Sequence, residues 1–126
     1  MAITYTISRD NGLITSFATG IVRADDLHGL IKSILADPGF VPRLRGLFDA
    51  RYAEPDITVM QIAEVASEVR ELQKRGLGRL AVVAESQTTY RVAKTFSIIA
   101  RAIGIDVDVF KELAPAQSWL DEGGDS

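Results

Sequence analysis

Two continuous apolar runs, each followed by a helical pattern, constrain the fold of this chain most strongly. Leu47 and Phe48 lie in the first run and residues 80–84 form the second, and neither run alternates with polar residues. Strands of this kind are typically covered on both faces, as in a parallel sheet with crossover helices. Amphipathic helices are predicted over residues 59–75 and 88–103, so the sequence predicts successive parallel β-α units.

The N-terminal residues predict an antiparallel hairpin. Residues 3–8 alternate between apolar and polar side chains, which indicates a strand with one face in water. The pair Asn11-Gly12 tolerates the positive φ angles of a tight hairpin turn. A second strand is therefore expected over residues 13–22.

The remaining segments complete an α/β pattern. A first helix is predicted from Asp25 to the residues before Pro38, a last strand at a sheet edge over residues 105–109, and a short last helix over residues 115–120. We therefore predict an α/β fold with one mixed five-stranded sheet and about four helices in the order β-β-α-β-α-β-α-β-α. The sequence leaves the strand order open. A chain of 126 residues has the size of one ordinary domain, so we expect a single domain over residues 1–126, with a frayed end at residues 123–126.

Composition excludes several classes of protein. The chain is 47% hydrophobic and 25% charged, and it contains no apolar run near the roughly 18 residues of a membrane span. Its N-terminus lacks a secretory signal pattern, and it has no cysteine for disulfides or metal sites. The net charge of −3 argues against nucleic-acid binding. We expect a cytoplasmic protein without an integral membrane segment.

Catalytic and cofactor motifs are also missing from the sequence. His28 is the only histidine, and its position near the polar edge of the first predicted helix favours a surface residue. The chain has no G-x-G-x-x-G pattern, no Walker lysine and no G-x-S-x-G elbow. One histidine and no cysteine leave only carboxylates as metal ligands. We therefore expect a protein that is not an enzyme and that uses no cofactor and no metal.

Four stretches together resemble one known family. They are I-T-Y-T-I-S-R-D-N-G-L-I at residues 3–14, A-D-P-G-F at 36–40, R-G-L-F-D-A-R at 45–51, and D-V-F-K-E-L-A-P-A-Q-S-W-L at 108–120. With the order of elements, they resemble the SpoIIAA-like branch of the STAS and CRAL-TRIO type domains over residues 3–120. The resemblance implies a non-enzymatic module. Anti-sigma-factor antagonists with this fold bind a partner kinase and are switched by phosphorylation at the start of the helix after the third strand.

The corresponding place in this chain begins at the end of a segment, residues 52–57, that is predicted to be a loop. The family motif resembles D-S-x-G-L, whereas residues 56–60 read D-I-T-V-M. Only Asp56 and, with an ambiguity of one residue, the hydroxyl of Thr58 match the motif, and its glycine is missing. Alternatively, Thr58 is the N-cap of the next helix and forms a capping box with Gln61.

Two helices carry opposite charges on their predicted outer faces. Glu64, Glu68 and Glu71 line one helix, whereas basic residues and one apolar residue share a stripe on the next. These stripes are either ordinary solvated faces or a surface that binds a partner or a second copy in a homodimer. The leading hypothesis is a regulatory or protein-interaction module that resembles anti-sigma-factor antagonists. Its predicted contacts lie near the end of the third strand and on the basic helix: Arg51, Glu54, Asp56, Arg91, Lys94, Ile98 and Arg101.

A second hypothesis is a binding domain for a small apolar or lipid-like ligand. The resemblance to CRAL-TRIO domains suggests such a ligand between the sheet and a helix. Four aromatic residues are candidates for the walls of this cleft, namely Phe40, Tyr52, Tyr90 and Phe96. The alternative is that these aromatic side chains belong to the hydrophobic core.

Overall fold

The elements follow the predicted order. The computed structural model describes residues 2–123, so residues 124–126 of the predicted frayed end lie outside the described part. The elements are β1 (Ile3–Ser8), β2 (Leu13–Arg23), α1 (Ala24–Ala36), β3 (Arg45–Asp56), α2 (Val59–Lys74), β4 (Leu80–Val83), α3 (Gln87–Ala102), β5 (Val107–Phe110) and α4 (Leu113–Gly123). Within residues 2–123 the fold is thus α/β, with five strands and four helices as predicted.

The sheet is mixed, and its strand order equals the chain order, β1-β2-β3-β4-β5. β1 and β2 are antiparallel, and the following pairs are parallel. In the turn between β1 and β2, Gly12 has a φ of 64° and its N–H donates to the carbonyl of Arg9 at 3.1 Å. The predicted hairpin and the predicted edge position of the last strand are therefore confirmed.

Side chains that alternate along the central strands divide the core between two layers. Val82 of β4 packs in the cluster that α1, α2 and α3 cover, whereas its neighbours Ala81 and Val83 pack against α4. In that second layer, Leu120 is buried against β4 and the Trp119 ring contacts that of Phe110 in a tilted arrangement, with 5.7 Å between ring centroids. Trp119 and Leu120 thus pack inward, and β3 and β4 have helices on both sides.

β3 is longer than the sequence indicated, and the predicted loop over residues 52–57 is wrong. Residues 52–56 continue β3 and pair with residues 19–23 of β2. A bulge precedes this part of the strand, because the pairing shifts from Phe17 with Asp49 to Thr19 with Tyr52. β3 therefore has one more residue than β2 at this point, and the bulge reverses the alternation of its side chains.

The bulge decides which residues of β3 face the three-helix layer. Before the bulge the inward positions include Gly46 and Phe48, and after it they are Ala53 and Pro55. Tyr52 points to the opposite side of the sheet, where 60% of it is exposed and its ring meets that of Phe17 edge to face. Even-numbered residues of β3 thus face the three-helix layer before the bulge, and odd-numbered residues face it after the bulge.

Candidate functional site

A cavity of about 160 Å³ lies between the sheet and helices α1, α2 and α3. Its floor is formed by β2, β3 and β4, and its roof by apolar side chains of the three helices. Phe48, Leu30 and Phe96 line it from β3, α1 and α3, and all three are only half-buried although they belong to the main core. The helices therefore do not close completely onto the sheet.

Small residues on β3 explain why this space remains open. The β3 residues that point toward the cavity before Pro55 are Gly46, Phe48, Ala50 and Ala53. Phe48 is the only large side chain among these four. The helices supply the larger side chains of the opposite wall, among them Leu30 and Phe96. Protein interiors have few voids larger than a water molecule, so a space of this size stands out from an ordinary core.

The cavity wall is almost entirely hydrocarbon. It includes no charged side chain, and its polar side chains are the hydroxyls of Ser16 and Thr89. The Thr89 hydroxyl donates to the carbonyl of Ala53 at 3.0 Å and accepts from the hydroxyl of Ser86 at 2.9 Å. The interior thus suits an uncharged, mainly apolar molecule, and its wall supplies no acid or base for proton transfer.

The four aromatic residues that were predicted to form a cleft do not share one. Phe96 lines the cavity, whereas Phe40 and Tyr90 pack at the margin of the main core without lining it. Tyr90 has the Lys111 ammonium group 4.8 Å from its ring centroid. Tyr52 faces the other side of the sheet because it follows the bulge. The signal for the cavity was instead the run of small residues along β3.

The residues at the end of β3 are less free than the sequence suggested. Arg51 donates to Asp49 from Nε at 3.0 Å and from Nη2 at 2.8 Å. Asp49 is buried, and these hydrogen bonds from Arg51 hold the pKa of its carboxyl below the usual value. Glu54 is exposed, and the carboxylate of Asp56 lies 3.4 Å from Arg23. Arg51 thus has a structural ion pair, whereas Glu54 and Asp56 lie at the surface.

Thr58 is the N-cap of α2. Its hydroxyl accepts from the Gln61 N–H at 3.2 Å, and the Gln61 side chain accepts from the Thr58 N–H at 2.9 Å. This reciprocal pair confirms the predicted capping box. Thr58 is exposed, and so are the apolar residues that follow it, Val59 and Met60. Phosphorylation of Thr58 remains a prediction.

Comparisons with known proteins reveal the fold. No protein-family model and no curated protein matches the chain. Among solved structures, it is similar to an uncharacterized protein of the DUF3478 family with a SpoIIAA-like fold from Shewanella loihica. The match has a TM-score of 0.58 and covers 94% of this chain and 92% of the other, at 18% sequence identity.

This chain has a SpoIIAA-like fold. The predicted resemblance is therefore confirmed for the architecture. Because the two sequences are only 18% identical, the likeness is restricted to the fold. The match extends over both layers of helices, because it covers nearly the whole length of the two chains.

On α3, the predicted basic stripe surrounds an exposed isoleucine. Ile98 is 67% exposed, Arg91 is exposed and Lys94 is half-buried. Neither Arg91 nor Lys94 forms an ion pair with another residue in the range 2–123. Arg101 instead lies 3.0 Å from a carboxylate oxygen of Asp108 and donates to a backbone carbonyl of β5. The unpaired positive charge thus lies beside Ile98.

The acidic stripe on α2 is partly neutralised. Glu71 pairs with Lys74 at 3.2 Å, and Glu68 forms a hydrogen bond with the Nδ1 atom of His28 on α1. The bond with Glu68 is the main cause that raises the pKa of His28 above its ordinary value. His28 was predicted to be a surface residue, and it lies half-exposed where it joins α1 to α2. Glu64 remains exposed.

Two other kinds of site are missing from the part of the chain that is described. Residues 2–123 contain no group of three or more side chains placed to hold a metal ion. Over the same residues, no helix has the length and apolar character needed to cross a bilayer.

Proposed function

We propose that this SpoIIAA-like protein is a non-catalytic binding protein that holds a small, uncharged and mainly apolar molecule between its sheet and its three-helix layer. The observation that carries the proposal is the cavity of about 160 Å³ without a charged side chain in its wall. An empty cavity of this kind lowers stability, because its lining atoms lose contacts that a filled core would provide. A ligand that fills it restores those contacts.

The volume narrows the range of ligands. A dry cavity of roughly 150 Å³ in another protein core accommodates benzene or xenon. The present cavity, at about 160 Å³, is of the same size and suits one six-membered ring or a short branched chain. A ligand of this size is smaller than the lipid-like ligand that the CRAL-TRIO resemblance implies.

Thermal unfolding with and without benzene tests this proposal on the full chain. Binding to the folded state alone raises the midpoint temperature with ligand concentration. Ala53→Val fills part of the cavity and should reduce the response to benzene. Ala18→Val is the matched control, because Ala18 is fully buried on β2 and does not line the cavity. If benzene shifts neither the midpoint nor the NMR signals of residues in the cavity wall, the proposal is wrong.

A second function, protein interaction in a regulatory role, is favoured by the surface of α3. Ile98 offers apolar area, while Arg91 and Lys94 beside it have no ionic partner among residues 2–123. Exposed apolar area with unpaired positive charge fits an acidic protein surface. A second copy of the chain, which would bring the exposed Glu64 of α2, also fits.

Charge reversal tests this surface. We expect Arg91→Glu/Lys94→Glu to remove bound partners in a pull-down, and to convert a dimer to a monomer in light scattering if the partner is a second copy. Lys32→Glu/Arg43→Glu is the matched control, because it makes the same change of charge at exposed positions outside α3. Identical partner profiles and masses for the two variants would count against the α3 surface.

A further inference from the structure

One hydroxyl faces the cavity without a partner of its own. Ser16 lies on β2 and lines the cavity, and only 5% of the residue is exposed. Among residues 2–123 its side chain forms no hydrogen bond, and its neighbours on the same face of β2, Ile14 and Ala18, are apolar. Among the same residues, every side-chain oxygen that is completely sealed from open space has a hydrogen-bond partner. The Ser16 hydroxyl has none, so it must border open space, and the space that Ser16 lines is the cavity.

The residues across the sheet leave this hydroxyl in apolar surroundings. In the register of the strands, Ser16 lies opposite Tyr5 on β1 and Phe48 on β3. The Tyr5 hydroxyl donates to Asp37 at 2.8 Å and is thereby engaged elsewhere. A buried hydroxyl without a hydrogen bond is unfavourable, because it has lost its bonds to water without replacing them.

A water molecule does not fit this place well. Buried waters make about three hydrogen bonds to polar groups around them. The other hydroxyl in the cavity wall, that of Thr89, already donates to Ala53 and accepts from Ser86. A molecule with one polar group and an apolar body matches the wall better, because it needs only one hydrogen bond.

We propose that the Ser16 hydroxyl anchors the ligand, which is an uncharged ring-sized molecule with one hydrogen-bonding group, such as a phenol. This inference rests on the proposed ligand-binding function and specifies the chemistry of that site. The serine hydroxyl both donates and accepts, so a hydroxyl or a carbonyl on the ligand satisfies it. The ring then contacts Phe48, Leu30 and Phe96. A charged group is excluded because nothing in the wall would compensate it.

Phenol and benzene form a matched pair of probes, since they differ by one hydroxyl. Each is titrated into the full chain and into Ser16→Ala, and the dissociation constant is measured by NMR. A neutral hydrogen bond predicts that Ser16→Ala weakens phenol binding by roughly 3- to 10-fold, whereas benzene binding stays within about 2-fold. Ser97→Ala is the control, because Ser97 is equally buried on α3 and its hydroxyl donates to the Lys94 carbonyl away from the cavity.

The outcomes separate this inference from the proposed function. If both probes bind and the phenol-to-benzene preference is the same in the full chain and in Ser16→Ala, Ser16 is not the anchor but the cavity still binds ligands. If neither probe binds to the full chain, the proposed function and the anchor are both wrong. Benzene binding to Ser16→Ala also verifies that the variant is folded with its cavity intact.

Discussion

Filling the cavity should stabilise this protein, which is the opposite of the effect at a closely packed core position. Ala53 lines the cavity from β3, and Ala53→Val adds two carbon atoms there. At ~0.8 kcal/mol for each buried methylene, the free energy of unfolding should rise by about 1.6 kcal/mol. This gain is less than half of the ~4 kcal/mol that a cavity of about 160 Å³ costs at ~24 cal/mol per Å³. Valine also suits a strand position.

The matched substitution Ala18→Val should have the opposite sign. Ala18 is fully buried on the neighbouring strand and lies outside the cavity wall. The extra carbon atoms must displace their neighbours, so we expect a loss of ~1–3 kcal/mol. Urea denaturation followed by the fluorescence of Trp119, the only tryptophan, gives the free energy of unfolding for both variants.

The comparison of the two variants tests whether the space beside β3 is open. A loss of stability in Ala53→Val as large as that in Ala18→Val would mean that side chains already fill the space beside β3. In that case the cavity could not hold a ligand, and the binding proposal would fail with it. A gain in Ala53→Val together with a weaker response to benzene would link the same volume to stability and to binding.

Three further predictions concern polar contacts. His28→Ala removes the bond to Glu68 that raises the pKa of His28, so it should lower the free energy of unfolding by up to about 1 kcal/mol. This loss should be fully present below pH 6.5 and should vanish as the pH rises through the folded-state pKa of His28. Urea titrations at several pH values measure it. Asp49→Asn weakens the pair with Arg51 and should cost ~1.5–3 kcal/mol near neutral pH. Because the pair lowers the pKa of Asp49, this difference should disappear as the pH falls through that pKa, and an unchanged difference in acid would contradict it. Thr58→Ala should lower the free energy of unfolding by ~0.5–2 kcal/mol and Thr58→Ser by much less, whereas equal losses would argue against the cap.

The parts of the fold that could be predicted from the sequence are those that depend on short-range patterns. The apolar run at residues 80–84 predicted a strand covered on both faces, and Gly12 supplied the positive φ of the hairpin turn. Thr58 and Gln61 gave the start of α2 because a capping box involves residues only three positions apart. Each of these signals is local.

The errors arose where distant residues decide the outcome. The second half of β3 contains a proline and two acidic residues, so it has the composition of a loop, and only the pairing with β2 makes it a strand. The cavity depends on how far α1, α2 and α3 lie from the sheet. Its sequence signal was the set of small residues Gly46, Ala50 and Ala53 on one strand, which becomes meaningful once the bulge fixes their direction.

The length of β3 also affects how this protein behaves at high concentration. β3 pairs with β4 only over residues 46–49, so among the described residues its second half has a strand neighbour on one side alone. Such an open edge can recruit a strand of another chain and start aggregation. Here Pro55 offers no N–H, the Ala53 carbonyl already accepts from Thr89, and Glu54 and Asp56 are charged. The loop-like composition that concealed this strand in the sequence is therefore what protects its edge from other chains.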